Sequence, residues 1–109
     1  PDELRAAASR LRVGTLVVTM GRDGALAVGP DGVAWRLGTA SVSGHFPVGS
    51  GDAFLAGMLA ARAVGAGLAS QLRLGAGAAA ANTEQPGAGV VDPRRAVELA
   101  AQVPLDRLA

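Results

Sequence analysis

The chain changes its hydrophobic period at Asp52, and this change limits the folds that it can form. Upstream of Asp52, apolar side chains come in short runs rich in β-branched residues and separated by glycine-containing turns, a pattern typical of strands. Downstream of it, apolar side chains recur at helical spacing as far as residue 101, with breaks at glycine- and proline-rich stretches. A chain with these two halves is predicted to fold as an α/β domain, in which helices cover a sheet.

The first half is predicted to form one helix and a small sheet. An amphipathic helix is expected at residues 1–12, because leucine and alanine recur there at helical spacing. The β-branched run at residues 15–20 predicts a strand that is covered on both faces, as in a parallel sheet. Further strands are expected at 24–28 and 33–37, which the turn at 29–32 joins as a hairpin, and at 39–44.

The second half is predicted to be helical. The expected helices are residues 53–64, 68–83 and 93–101. Residues 75–81 are all glycine or alanine, so another backbone or a flat ligand could approach the middle helix closely there. Residues 84–91 are predicted to be a loop, and Asp92 is expected to cap the last helix.

This order of elements contains too few strands to close a sheet of its own. The chain begins at Pro1 rather than Met, and its first helix reads as the continuation of preceding sequence. We therefore expect the 109 residues to be part of a larger domain, with most of the sheet contributed by upstream sequence.

Composition and charge exclude several classes of protein. A hydrophobic content of 50% is too high for a disordered segment. The formal charge of +1 arises from 10 basic and 9 acidic residues, so a nucleic-acid surface is not indicated. The absence of cysteine excludes disulfides and thiolate metal sites, and no apolar run reaches the roughly 18 residues of a membrane span. These features predict a soluble, cytoplasmic protein without a membrane partner.

The segment Pro47-Val48-Gly49-Ser50-Gly51-Asp52 leads directly into a predicted helix. Small residues there let backbone N–H groups close around phosphoryl oxygens, and the positive end of the helix dipole attracts negative charge. Asp52 would lie beside that phosphate, where a carboxylate can accept the proton of a reacting hydroxyl. A glycine-rich turn before a helix is also commonly only a cap, and these residues alone leave both interpretations open.

This segment resembles the second signature of the PfkB/ribokinase family of carbohydrate kinases, a small-small-Gly-Asp element before small and apolar helix positions. It is most similar to the 1-phosphofructokinase and tagatose-6-phosphate kinase branch. The resemblance implies the C-terminal portion of a ribokinase-like three-layer fold with a central, mainly parallel sheet. Residues 1–109 would then be the nucleotide-binding part of a single kinase domain, without its N-terminal sugar-binding part. The implied catalytic base is Asp52, and the implied anion hole is Gly49, Ser50 and Gly51.

The resemblance extends to residues 17–25, which are similar to the family's strand and turn that contact ATP, and to the small-residue helix against which family members place adenine. A hydroxyl at the end of a parallel strand also faces the usual ligand crevice of an α/β sheet, although Thr19 could equally be an ordinary strand residue. The implied ATP contacts are Thr19, Gly21, Gly24 and Ala76. Mg²⁺ is implied as well, bound by phosphate and water, with no metal ligand from this chain.

One position departs from the family pattern. Family members with a monovalent-cation site commonly have Asp six residues before the catalytic Asp, where this chain has Phe46. A phenyl ring cannot coordinate a cation through oxygen, so we expect little activation by potassium. Phe46 is expected to pack in the core, and His45 to be a loop residue without an acid–base role.

The resemblance implies ATP-dependent phosphorylation of a sugar or sugar-phosphate hydroxyl, with a ketohexose phosphate favoured by the branch. The expected partners are ATP, the sugar substrate, the missing N-terminal part and a second copy in a homodimer. Two alternatives remain, a noncatalytic nucleotide-binding or regulatory module and a structural α/β fragment. A carboxylate aimed at an acceptor hydroxyl is needed only for catalysis, so the role of Asp52 distinguishes these readings.

Overall fold

The structure is a computed structural model that describes residues 1–40 and 44–108. This part of the chain forms four α-helices and a four-stranded sheet, which confirms the predicted α/β class. The helices are α1 (Asp2–Leu11), α2 (Ser50–Ala63), α3 (Leu68–Thr83) and α4 (Pro93–Ala100), and the strands are β1 (Leu16–Thr19), β2 (Ala25–Val28), β3 (Ala34–Leu37) and β4 (Leu105–Leu108).

The strands form one sheet in the order β1-β2-β3-β4, and every neighbouring pair is antiparallel. The predicted hairpin is confirmed, with Val28 opposite Ala34 next to the turn. β1 pairs only with β2 within the described residues, so the parallel pairing that its sequence predicts is not formed there. β1 is therefore an edge strand in the described part of the chain, and its Val18 and Thr19 are exposed.

Two details of the predicted strands are wrong. Thr39, Ala40 and Gly44 lie outside any strand, and residues 41–43 of the predicted strand lie outside the described residues. The sequence pattern also does not predict β4, because its Leu-Asp-Arg-Leu segment lacks the alternation of a half-buried strand. β4 forms because β3 offers an open edge, and the Gly38 N–H donates to the Pro104 carbonyl (2.9 Å) at its start.

Helix α3 is the centre of the helical layer, and it packs against both α2 and α4. Its Leu72 is fully buried together with Leu99 of α4 and Leu37 of β3. A Cβ on Gly77 would overlap the Ala96 carbonyl oxygen of α4, so glycine allows these two helix backbones to approach closely. At this position the small residue of α3 therefore serves helix packing.

A salt bridge joins the end of α3 to α4. Arg95 donates to both carboxylate oxygens of Glu84, at 2.8 and 2.9 Å, and to Glu98 at 3.2 Å. The hydrogen bond from Arg95 lowers the pKa of the Glu84 carboxyl. Asp92 caps α4 as predicted, because its side chain accepts from the Arg94 N–H at 3.0 Å. Among the described residues, no helix has the length and apolarity that crossing a membrane requires.

Candidate active site

The N-terminus of α2 holds the segment predicted to bind an anion. Gly49 is its N-cap with φ of 86°, a left-handed conformation that glycine adopts without strain. The N–H groups of Gly51 and Asp52 lie in the first helical turn, where no intrahelical acceptor exists for them. The Ser50 N–H instead donates to the Pro47 carbonyl at 3.1 Å. Ser50 was assigned to the anion hole through its N–H, and with this N–H engaged its hydroxyl is the donor that it retains for a ligand.

Asp52 is not the cap of this helix. No side-chain capping hydrogen bond is formed at the start of α2, and Asp52 accepts no side-chain hydrogen bond from the described residues. Its side chain is exposed, on the same side of the helix as the exposed Leu55 and Leu59. The interpretation of Asp52 as a cap thus has no support in hydrogen bonding, and no described residue donates a hydrogen bond to its carboxylate.

A cleft of about 800 Å³ lies between the sheet and the N-terminal end of α2. Its lining brings together six of the eight predicted site residues, which are Thr19, Gly21, Gly24, Ser50, Gly51 and Ala76. Gly49 and Asp52 do not line it. Gly49 packs against the backbone of residues 88–89, and the exposed Asp52 lies on the side of α2 that carries Leu55 and Leu59.

Glycine and alanine residues line much of the cleft, and the structural reason for a small residue differs between its two sides. A Cβ on Gly24 would overlap the Leu37 carbonyl oxygen, so the close approach of β3 already requires glycine at this position. On the opposite wall, Ala76, Ala79 and Ala80 present only methyl groups from α3. The cleft is thus lined by methyl groups and glycines, which suits a planar base.

A second cavity of about 450 Å³ lies between β1 and α2. It is lined mainly by apolar side chains of these two elements, and its polar lining residues are Thr15, Thr19, Arg62 and Gln71. Thr19 and Gly51 border both cavities, so the two spaces meet beside the first turn of α2. A second molecule bound near this junction would be close to any phosphate held at the helix terminus.

Asn82 does not line the cleft but bonds to Ser50, which does, and no sequence motif points to it. It is fully buried, and its side chain bonds to the segment before α2 and to the loop after α3. The sequence did contain one indication of its importance, which is a polar residue at the end of an alanine-rich helix. A buried amide at such a place must find hydrogen-bond partners. The identity of those partners depends on contacts between distant segments.

His45 and Phe46 lie where the chain passes the end of α3, and both backbone N–H groups donate to the Thr83 carbonyl (3.1 and 3.0 Å). The expectation that Phe46 packs in the core is wrong, because the residue is 39% exposed. Its ring meets the His45 ring edge-on at 6.4 Å instead. No group of three His, Asp or Glu side chains among the described residues could hold a metal ion.

A family model described as pfkB family carbohydrate kinase matches residues 1–95. The chain is similar in structure to phosphofructokinase-2 from Escherichia coli in complex with potassium, with 27% identity and a TM-score of 0.79 over 93% of this chain and 34% of that one. It is also similar to ribokinase from Arabidopsis thaliana complexed with ribose and ATP, with 22% identity and a TM-score of 0.79 over 91% of this chain and 33% of that one. The chain thus spans about a third of the length of these kinases. No protein of curated function matches it significantly.

Proposed function

The chain belongs to the pfkB family of carbohydrate kinases, and from this premise we propose that it forms the nucleotide-binding part of an ATP-dependent sugar kinase. The observation that carries the proposal is the cleft at the N-terminus of α2, which gathers six residues chosen from the sequence alone. We propose that residues 1–109 are the C-terminal part of one kinase domain, whose sugar-binding part precedes them. We call the sugar-binding part and residues 1–109 together the complete kinase.

The roles of the residues follow from their positions. ATP supplies the phosphoryl group, with its base against Ala76 and the glycine turn at Gly21 and Gly24, and with Thr19 at the junction of the cavities. The N–H groups of the first helical turn and the Ser50 hydroxyl stabilise the negative charge. Asp52 accepts the proton of the sugar hydroxyl.

The residues of the cleft suit ATP, whereas they offer few ligands for Mg²⁺. Its volume and glycine-rich rim suit a nucleotide, as does the helix terminus. Mg²⁺ finds no cluster of three acidic or histidine side chains in the described part of the chain, so phosphate and water would supply most of its ligands. The metal would neutralise phosphate charge when bound.

The acceptor is proposed to be a phosphorylated ketohexose, on the basis of the similarity to phosphofructokinase-2 at 27% identity. The sugar would approach Asp52 along the side of α2 that carries Leu55 and Leu59, two exposed residues that also line the second cavity. A second copy of the kinase is a further proposed partner. None of the described residues forms a recognisable sugar site, so the preceding part would select the sugar.

The proposal is tested with the complete kinase, ATP and a panel of acceptors that includes phosphorylated ketohexoses and unphosphorylated pentoses. We expect ATP-dependent phosphorylation of at least one sugar by the complete kinase and none by the 109-residue chain. ATP binding without transfer to any acceptor would favour the noncatalytic nucleotide-binding module. Transfer by the 109-residue chain at an ordinary kinase rate would contradict the proposed division of the domain.

A further inference from the structure

The Asn82 side chain is fully buried, and all of its polar atoms are engaged. Its Nδ2 donates to the Val48 carbonyl at 2.9 Å and to Ser50 Oγ at 3.2 Å, and its Oδ1 accepts from the Gly89 N–H at 2.8 Å. Because a backbone N–H can only donate and a carbonyl can only accept, these partners determine the orientation of the amide.

The Asn82 amide joins the segment before α2 to the loop after α3. Packing between the two segments is independently tight, since a Cβ on Gly49 would lie 2.8 Å from the Gly89 nitrogen and 3.0 Å from the Ala88 Cα. A glycine with positive φ thus permits the approach, and a buried amide holds it. The segment from Pro47 to Gly51 is called the anion-binding turn below. Its conformation therefore depends on Asn82, which is remote from it in sequence.

The hydrogen bond from Asn82 also determines what Ser50 can do. Ser50 Oγ accepts from Nδ2, so its own hydroxyl hydrogen remains available for donation. Its backbone N–H is occupied by the Pro47 carbonyl, while the residue itself borders the large cleft. The only donor that Ser50 can offer to a ligand is consequently its hydroxyl.

We propose that Asn82 is a positioning residue, which orients the Ser50 hydroxyl as a donor to the transferred phosphoryl group and holds residues 88–89 against the anion-binding turn. The proposal rests on the proposed kinase function, and it adds a side-chain donor and its support to the backbone N–H groups. Asn82 acts through Ser50 and the turn, without touching the substrate.

The test compares Ser50→Ala, Asn82→Ala and the double variant in the complete kinase. Ser50→Ala removes the proposed donor and leaves the Asn82 bonds to Val48 and Gly89 intact. We expect it to lower kcat at least about tenfold with little change in the KM of the sugar, since the donor acts on charge in the transition state. Asn82→Ala should lower kcat by at least as much, and it should also raise the KM of ATP by loosening the turn.

The double variant distinguishes positioning of the Ser50 hydroxyl by Asn82 from a general loosening of the turn. If Asn82 acts through Ser50, adding Ser50→Ala to Asn82→Ala should lower kcat by less than about threefold, because the two effects overlap. Arg95→Gln is the matched control, because it breaks the salt bridge to Glu84 at the same loop but touches neither Ser50 nor Asn82. Its kcat should stay near that of the wild type.

Wild-type kcat in Ser50→Ala, or fully multiplicative losses in the double variant, would overturn the proposal. Should Asn82→Ala not fold, the result for Ser50→Ala still decides, since without an effect of the hydroxyl there is nothing for Asn82 to orient. Absence of any phosphoryl transfer by the wild-type complete kinase would instead remove the proposed function. An active wild type with an unaffected Ser50→Ala variant removes only this inference.

Discussion

Gly57 of α2 and Gly75 of α3 face each other where these two helices cross. A Cβ built on Gly57 would lie 3.0 Å from the Gly75 Cα and 2.7 Å from the Leu74 carbonyl oxygen. A Cβ on Gly75 would meet the Phe54 carbonyl oxygen at 2.9 Å. The backbones therefore approach at a distance that only glycine allows, and this brings the N-terminal end of α2 to the cleft wall on α3.

Gly57→Ala and Gly75→Ala are each expected to destabilise the protein. Overpacking a tight contact lowers the free energy of unfolding by about 1–3 kcal/mol. The better helix propensity of alanine raises it by about 1 kcal/mol, which offsets part of this loss. The free energy of unfolding, measured with denaturant on the complete kinase, should fall accordingly. The matched control is Gly51→Ala in α2, where a Cβ meets nothing within 4 Å and no loss of stability is expected. Equal stability of all three variants would contradict the role of the crossing.

Asp52→Asn in the complete kinase should separate chemistry from stability. The change removes the proton acceptor but keeps the size of a side chain that makes no capping bond, so we expect kcat to fall by roughly 10²- to 10⁴-fold while ATP affinity and folding are nearly retained. Asp92→Ala is the converse control. It removes a real cap from α4 and should cost about 1 kcal/mol of stability with kcat unchanged. A wild-type kcat in Asp52→Asn would exclude Asp52 as the base.

Gly51→Val is expected to weaken nucleotide binding without unfolding the protein. Gly51 has no positive φ and a Cβ there meets no protein atom within 4 Å, so the fold can accept the side chain. The valine would project into the space where the two cavities meet, and it would obstruct close approach of phosphate to the backbone. Calorimetric titration of the complete kinase with ATP should show at least about tenfold weaker binding. Ala63→Val at the exposed end of the same helix is the control, and an equal loss of affinity there would refute the local explanation.

The complete kinase should depend little on potassium. Phe46 provides no oxygen at the position where the family's monovalent-cation site commonly has Asp, and its ring contacts His45. Initial rates in sodium, potassium and a bulky organic cation at constant ionic strength should agree within about twofold. Phe46→Asp is the informative variant, because it restores the missing carboxylate and should introduce a dependence on potassium. A large rise in the wild-type rate with potassium alone would mean that backbone carbonyls form a cation site without this acid.

Local sequence determined most of the elements of this protein and the place of its main motif at a helix start. The residues of α3 were predicted with the correct bounds, and α4 with its Asp92 cap, because helical period and capping are properties of neighbouring residues. The glycine turn before α2 was identified for the same reason, since it combines small residues with a helix start. The residue types at the cleft could thus be named from sequence.

Tertiary structure decided which partners those residues have. β4 exists because it meets the open edge of β3, and its own sequence does not favour a strand. Asn82 and Ser50 are 32 positions apart, and no pattern of spacing predicts a hydrogen bond between them. The Ser50 amide is likewise lost to the Pro47 carbonyl, which depends on how the turn closes. Periodicity describes the faces of an element, whereas pairing depends on packing between elements that are distant in sequence.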